Sequence, residues 1–156
     1  MSQKEIIVVL DNIRSRENVG SIFRTADGAG VGKIYLCGIT PTPPHGKISK
    51  TALGAEGYVS WEYRAKTWQV LRELKVKSLK FKVIGLEQTK DSQNIFKFKP
   101  KFPLVLILGN EVKGLSPQIL KYCDKKISIP MYGKKESLNV SVAAGIAVYT
   151  ILDKGR

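Results

Sequence analysis

The sequence predicts one α/β domain built on a mostly parallel sheet with helices on both faces. Three observations carry that prediction. Short apolar runs alternate along the chain with longer segments of helical periodicity, the order expected of strands joined by crossover helices. The runs, such as Ile6 to Leu10 and Leu104 to Leu108, are apolar throughout, as strands covered on both faces are. At 156 residues the chain has the length of a single domain, with no internal repeat and no linker, and can bury roughly 70% of its unfolded surface.

The elements follow in order. "IIVVLDN" (6–12) reads as a buried strand, and "NVGSIFRTADGAGV" (18–31) as a helix closing on glycines. "KIYLCGI" (33–39) reads as a second strand, and "TPTPPHGKISK" (40–50) as a loop, because consecutive prolines suit neither a helix nor a sheet interior. "VSWEYR" (59–64) reads as a short strand. "TWQVLRELKVK" (67–77) places Trp68, Leu71 and Leu74 on one helical face, with Leu79 continuing it. "KVIGLE" (82–87) and "LVLILG" (104–109) read as buried strands. "SPQILKYC" (116–123) opens with Ser and Pro in helix-starting order, "KISIP" (126–130) is a last strand, and "ESLNVSVAAGIAVYTIL" (136–152) a long helix. In parallel sheets ligands bind beyond the carboxyl ends of the strands, so chemistry is expected at the turns following Leu86, Gly109 and Ile129.

Charge narrows the partner. Lys and Arg number 26 against 13 acidic residues, a formal net charge of +13. So basic a chain favours a polyanion, nucleic acid ahead of an acidic membrane surface, because no strongly amphipathic basic helix stands alone. The apolar runs fall far short of the about 20 residues that cross a bilayer. The start, "MSQKEIIVVL", lacks the pattern of a signal peptide. Cys37 and Cys123 match no metal spacing and read as small core residues in a reducing, cytoplasmic setting.

Three blocks carry candidate chemistry. "NIRSRENVGSIFRTADGAGV" (12–31) spaces Asn18, Gly20 and Arg24 as Asn-x-Gly-x-x-x-Arg, which also suits a helix-capping Asn and a surface Arg. "LILGNEVKGLS" (106–116) sets Glu111 between two glycines. The strand and Gly-x-x-x-x-Gly turn suggest a phosphate-binding loop, yet Leu115 stands where that loop needs a Lys. "ISIPMYGKKESLNVSVAAGIAVY" (127–149) holds Ser137 and Asn139 at the mouth of a helix, where either could simply cap it. His45, the only histidine, lies in the proline-rich loop and carries little weight as a catalyst. "FKFKPKF" (96–102) could stack bases and hold phosphates, but reads better as a solvated connector before a core strand.

In order and spacing, the three blocks resemble the motifs of the SpoU-type RNA 2′-O-ribose methyltransferases of the SPOUT, or α/β-knot, class. "GNEVKGLS" followed by "IPMYGKKESLNVSVAAGIA" is the specific combination, and the likeness runs from about residue 6 to residue 152. The resemblance implies one SPOUT domain over 1–156 without a separate RNA-binding domain, a C-terminal trefoil knot, and a homodimer with its site near the interface. It implies S-adenosylmethionine as cofactor, held largely by Leu86, Gly109, Asn110, Ile129, Met131, Ser137 and Leu138. The glycine turn would let backbone approach the adenosine closely. The substrate implied is a ribose 2′-hydroxyl of tRNA or rRNA, with no metal and no membrane involved.

Asn18, Arg24, Glu111, Ser137 and Asn139 match the family's catalytic positions. The family casts the arginine as the base for the hydroxyl proton. An arginine with a pKa of about 13 costs roughly 8 kcal/mol to neutralise at pH 7, so Arg24 is read instead as a two-pronged clamp on the substrate phosphate. Glu111, Ser137 and Asn139 would then position Arg24 or the cofactor. A second function class, an RNA-binding module without turnover, fits the charge but leaves the five matched residues unexplained.

Overall fold

Each apolar run read from the sequence becomes a strand, and one further short strand joins them. The computed structural model describes residues 4–77 and 81–155. Its elements are β1 (Ile6–Asp11), α1 (Arg16–Ala29), β2 (Lys33–Cys37), α2 (Gly46–Ala52), β3 (Trp61–Arg64), α3 (Thr67–Lys77), β4 (Lys82–Leu86), β5 (Gln93–Asn94), β6 (Leu104–Leu108), α4 (Pro117–Leu120), β7 (Lys125–Ser128) and α5 (Val140–Gly155). The strands form one sheet in the order β3-β2-β1-β6-β4-β7-β5, and every pairing is parallel.

Alternate residues of the central strands feed two cores, which is why their sequences are apolar without interruption. Ile6, Val8 and Leu10 of β1 join Leu104, Leu106 and Leu108 of β6 on the face covered by α1, α2 and α5. Ile7 and Val9 join Val105 and Ile107 on the opposite face, under α3 and α4. Leu71 and Leu74 of α3 are buried there and Trp68 packs at the margin, as the helical face predicts; Leu79 lies outside the described residues.

Five local readings change. The first helix starts at Arg16, because the Ser15 hydroxyl accepts the Asn18 amide and caps it; Asn18 is therefore inside the helix, not its cap. It stops where Gly30 takes a left-handed φ of 77°. The proline-rich segment is a loop only as far as His45, whose Nδ1 accepts the Lys47 amide and opens α2. That helix has no periodic signal of its own and is held by burying Ile48 and Ala52 against α1. Gly20 makes the contact possible, since a Cβ there would collide with Thr51 and the Ile48 carbonyl. "SPQILKYC" yields a single turn capped by Ser116, and α5 begins at Val140, four residues after the expected start. In the Phe/Lys segment, Phe98 is buried and Phe102 packs on the core, so only Phe96 remains exposed. Lys154 of α5 fastens the segment through the carbonyls of Phe96 and Phe98.

Candidate active site

Four adjacent strands, β1, β6, β4 and β7, end at one cavity of about 650 Å³. The place is the one that parallel-sheet topology predicts, where connections leave neighbouring strands in different directions. Leu86, Ile129, Met131 and Leu138 give it an apolar wall, and Gly109, Asn110, Glu111, Ser137 and Asn139 line it as well. Asn18 enters from the first turn of α1. Thus ten of the eleven residues singled out by sequence meet at one site. The exception is Arg24, which lies exposed on α1 and outside the cavity lining of its own chain.

Glu111 is the organising carboxylate. Oε1 accepts the Arg14 amide at 2.9 Å; Oε2 accepts the Ser15 amide at 2.9 Å and the Asn18 side-chain amide at 3.1 Å. Residues 93 to 97 positions apart are thereby locked together. Burial pushes the Glu111 carboxyl up, but the amides of Arg14 and Ser15, with help from Asn18, outweigh it and hold the pKa below its usual value. The group is therefore an ionised acceptor and a weak base. The sequence reading had Glu111 positioning Arg24 or the cofactor; in the structure it positions the loop after β1 and Asn18.

The Gly109–Gly114 turn closes on itself, with the Gly114 amide bonded to the Asn110 carbonyl at 2.9 Å. Asn110 Oδ1 accepts the amides of Val112 and Lys113, and its Nδ2 reaches the Asn12 carbonyl. A Cβ on Gly109 would stand 2.5 Å from the Gly114 carbonyl carbon and 2.7 Å from the Leu115 nitrogen. The space freed by Gly109 is thus taken by the turn's own backbone, while Gly109 itself lines the cavity. Asn139 does what its alternative reading allowed: Oδ1 accepts the amides of Ser141 and Val142 and caps α5, while the residue also lines the cavity.

Among the lining residues that the sequence reading did not single out are Arg14, Glu87 and Gln88. Among the described residues Arg14 is the only basic side chain in the lining, although the chain carries a net charge of +13. Two carboxylates against one cation is the reverse of a phosphate cradle. It suits a sulfonium nucleoside, with the apolar wall taking an adenine, and the volume falls within the about 300 to 1,000 Å³ of ligand pockets. S-adenosylmethionine thus fits the residues present. The only clue to Glu87 in the sequence was a charge closing the apolar run "KVIGLE".

Comparison with known proteins agrees. The chain is 38% identical over 149 residues to the tRNA (guanosine(18)-2′-O)-methyltransferase of Aquifex aeolicus, covering 94% of this chain and 68% of that protein. It is 33% identical over 144 residues to a 23S rRNA (guanosine-2′-O-)-methyltransferase of Vibrio parahaemolyticus, covering 92% of this chain and 57% of that protein. The SpoU methyltransferase AviRb from Streptomyces viridochromogenes, in complex with S-adenosylmethionine, superposes with a TM-score of 0.90 at 25% identity, covering 99% of this chain and 62% of that one. The chain belongs to the SpoU rRNA methylase family, whose model matches residues 5–149.

Proposed function

We propose that the protein moves the methyl group of S-adenosylmethionine onto a ribose 2′-hydroxyl of a transfer or ribosomal RNA. The observation that carries this reading is the Glu111–Asn18 junction, which brings two distant motifs to one wall of a cavity suited to a sulfonium nucleoside. The cofactor supplies an electrophilic methyl. Leu86, Ile129, Met131 and Leu138 hold its adenine, and the Gly109–Gly114 turn fixes the depth of the pocket. Asn18, oriented by Glu111, faces the acceptor ribose together with Ser137 and Asn139. Glu111, already accepting three hydrogen bonds, is not the base.

Arg24 clamps the substrate phosphate, and it does so in the cavity of a second copy. Support comes from its exposure on α1 and its absence from its own chain's cavity. A neighbouring surface suits the contact: α5 exposes Val142 and Tyr149 seven residues apart, while Val140 and Ala143 of the same helix line the cavity. The reading includes the trefoil knot. After β7, near the far edge of the sheet, residues 129–139 pass the cavity and α5 returns to pack on α1 and β6, the route a knotted segment would take.

The test uses RNA carrying a single deoxyribose at the target nucleotide. Transfer of labelled methyl should vanish, while binding weakens only by about one hydrogen bond, roughly 1 kcal/mol. Methyl transfer that persists would move the acceptor from the ribose to a base.

A further inference from the structure

Glu87 is a charged residue for which the reaction above has no use. It follows β4, lines the cavity, and among the described residues no cation lies within ion-pair distance of it. Oε2 accepts the Leu115 amide at 2.7 Å and Oε1 accepts the Gln88 amide at 3.1 Å. A carboxylate has about four acceptor sites, so one lone pair on each oxygen remains for a ligand. An anion facing this cavity repels RNA phosphates, so its ligand is one that donates hydrogen bonds.

Position selects the donor. The strand order places Glu111 toward β1, where Asn18 meets it, and Ile129 and Met131 on the β7 side; β4 and Glu87 lie between. The carboxylate also sits against Gly114, where any Cβ would collide with it. With adenine on the apolar wall and the sulfonium toward Glu111, the part of the cofactor between them is the ribose, whose two adjacent hydroxyls are donors. We infer that Glu87 binds the ribose hydroxyls of the cofactor's adenosine, while its bond to Leu115 keeps the Gly109–Gly114 turn in register with them. The inference deepens the cofactor reading and rests on it. Gln88 completes the brace by donating from Nε2 to the Ile129 carbonyl.

Calorimetry with S-adenosylhomocysteine and its 2′-deoxy and 3′-deoxy analogues tests the assignment on the whole protein. The wild type should lose about tenfold or more in affinity when a bound hydroxyl is removed, the scale of a hydrogen bond to a charged group. Glu87→Gln keeps an acceptor for Leu115. It should bind S-adenosylhomocysteine about tenfold more weakly, with an unchanged melting temperature, and lose little further on either deoxy analogue. Two results overturn the inference: a wild type indifferent to both hydroxyls, or a Glu87→Gln variant as sensitive to them as the wild type. A wild type that binds none of the three nucleosides would instead remove the cofactor reading itself, and this inference with it.

Discussion

The two halves of the sheet are built differently. β1, β2 and β3 lie side by side in chain order, joined by two crossovers, while β4 to β7 interleave as β6-β4-β7-β5. The first half is fastened by its own loops: the Asn12 side chain accepts the Ile39 amide, and Thr40 ties the ends of β1 and β2. In the second half the loops fasten each other across long stretches of chain, Glu87 to Leu115 and Gln88 to Ile129, and Asn110 reaches across to Asn12 of the first half. The cavity draws on β1, β6, β4 and β7 but on no turn after β2 or β3. A sequential half-sheet makes a scaffold. Interleaving sets strand ends from distant sequence beside one another, and the site forms there.

The sharpest way to break that contrast is to replace a glycine in each half. Gly109→Val drives a branched side chain into the Gly114 carbonyl. It should cost about 3 kcal/mol or more and leave no measurable S-adenosylhomocysteine binding, read by thermal melting and calorimetry. Gly20→Ala forces α1 from α2 and should cost about 1–3 kcal/mol, yet leave cofactor affinity in the folded protein within about threefold. Equal loss of binding in both variants would erase the distinction between scaffold and site.

Arg24 sharpens it next, as a first-half residue proposed to act in the cavity of a second copy. Arg24→Ala should lower methyl transfer by about a hundredfold with melting temperature and cofactor affinity unchanged, and Arg24→Lys should not restore it. Mixed dimers of Arg24→Ala with Gly109→Ala should regain part of the activity, since one cavity then has both an intact turn and an intact arginine. Mixed dimers as inactive as the parents would return Arg24 to its own chain.

The junction of the halves titrates. The folded state lowers the Glu111 pKa from 4.5, so this carboxylate stabilises the fold above that pH and the contribution is lost as pH falls through the lower folded value. The melting temperature should drop between about pH 5 and 3, and less steeply in Glu111→Gln. Glu111→Ala leaves three donors without their acceptor and should cost about 1–3 kcal/mol at neutral pH.

The smallest effect compares the cysteines. Burial pushes the Cys37 thiol at the end of β2 up to about 12 and Cys123 in the second half up to about 11. Neither should react appreciably with iodoacetamide at pH 8 in the folded protein, with Cys37 the slower by mass spectrometry. Rapid labelling of Cys37 would mean that the scaffold half opens more readily than its packing implies.

The sequence by itself determined the parallel sheet, because continuous apolar runs such as Ile6 to Leu10 can be buried only between two helical layers. It also determined most of the site, since Asn18, Gly109, Glu111, Ser137 and Asn139 stand in short motifs whose spacing survives without the fold. Tertiary structure decided what each residue holds. Ser15 took the cap that Asn18 could have made, because Glu111, distant in sequence, claimed the Asn18 side chain. α2 and β5 exist only through neighbours: the one packs on Gly20 and the other borrows the edge of β7, so neither segment has a periodicity to read. Glu87 was invisible for the same physical reason. A carboxylate acquires meaning from the amides and the cavity that surround it, and those arrive from residues 109–115, which only the folded chain brings to the end of β4.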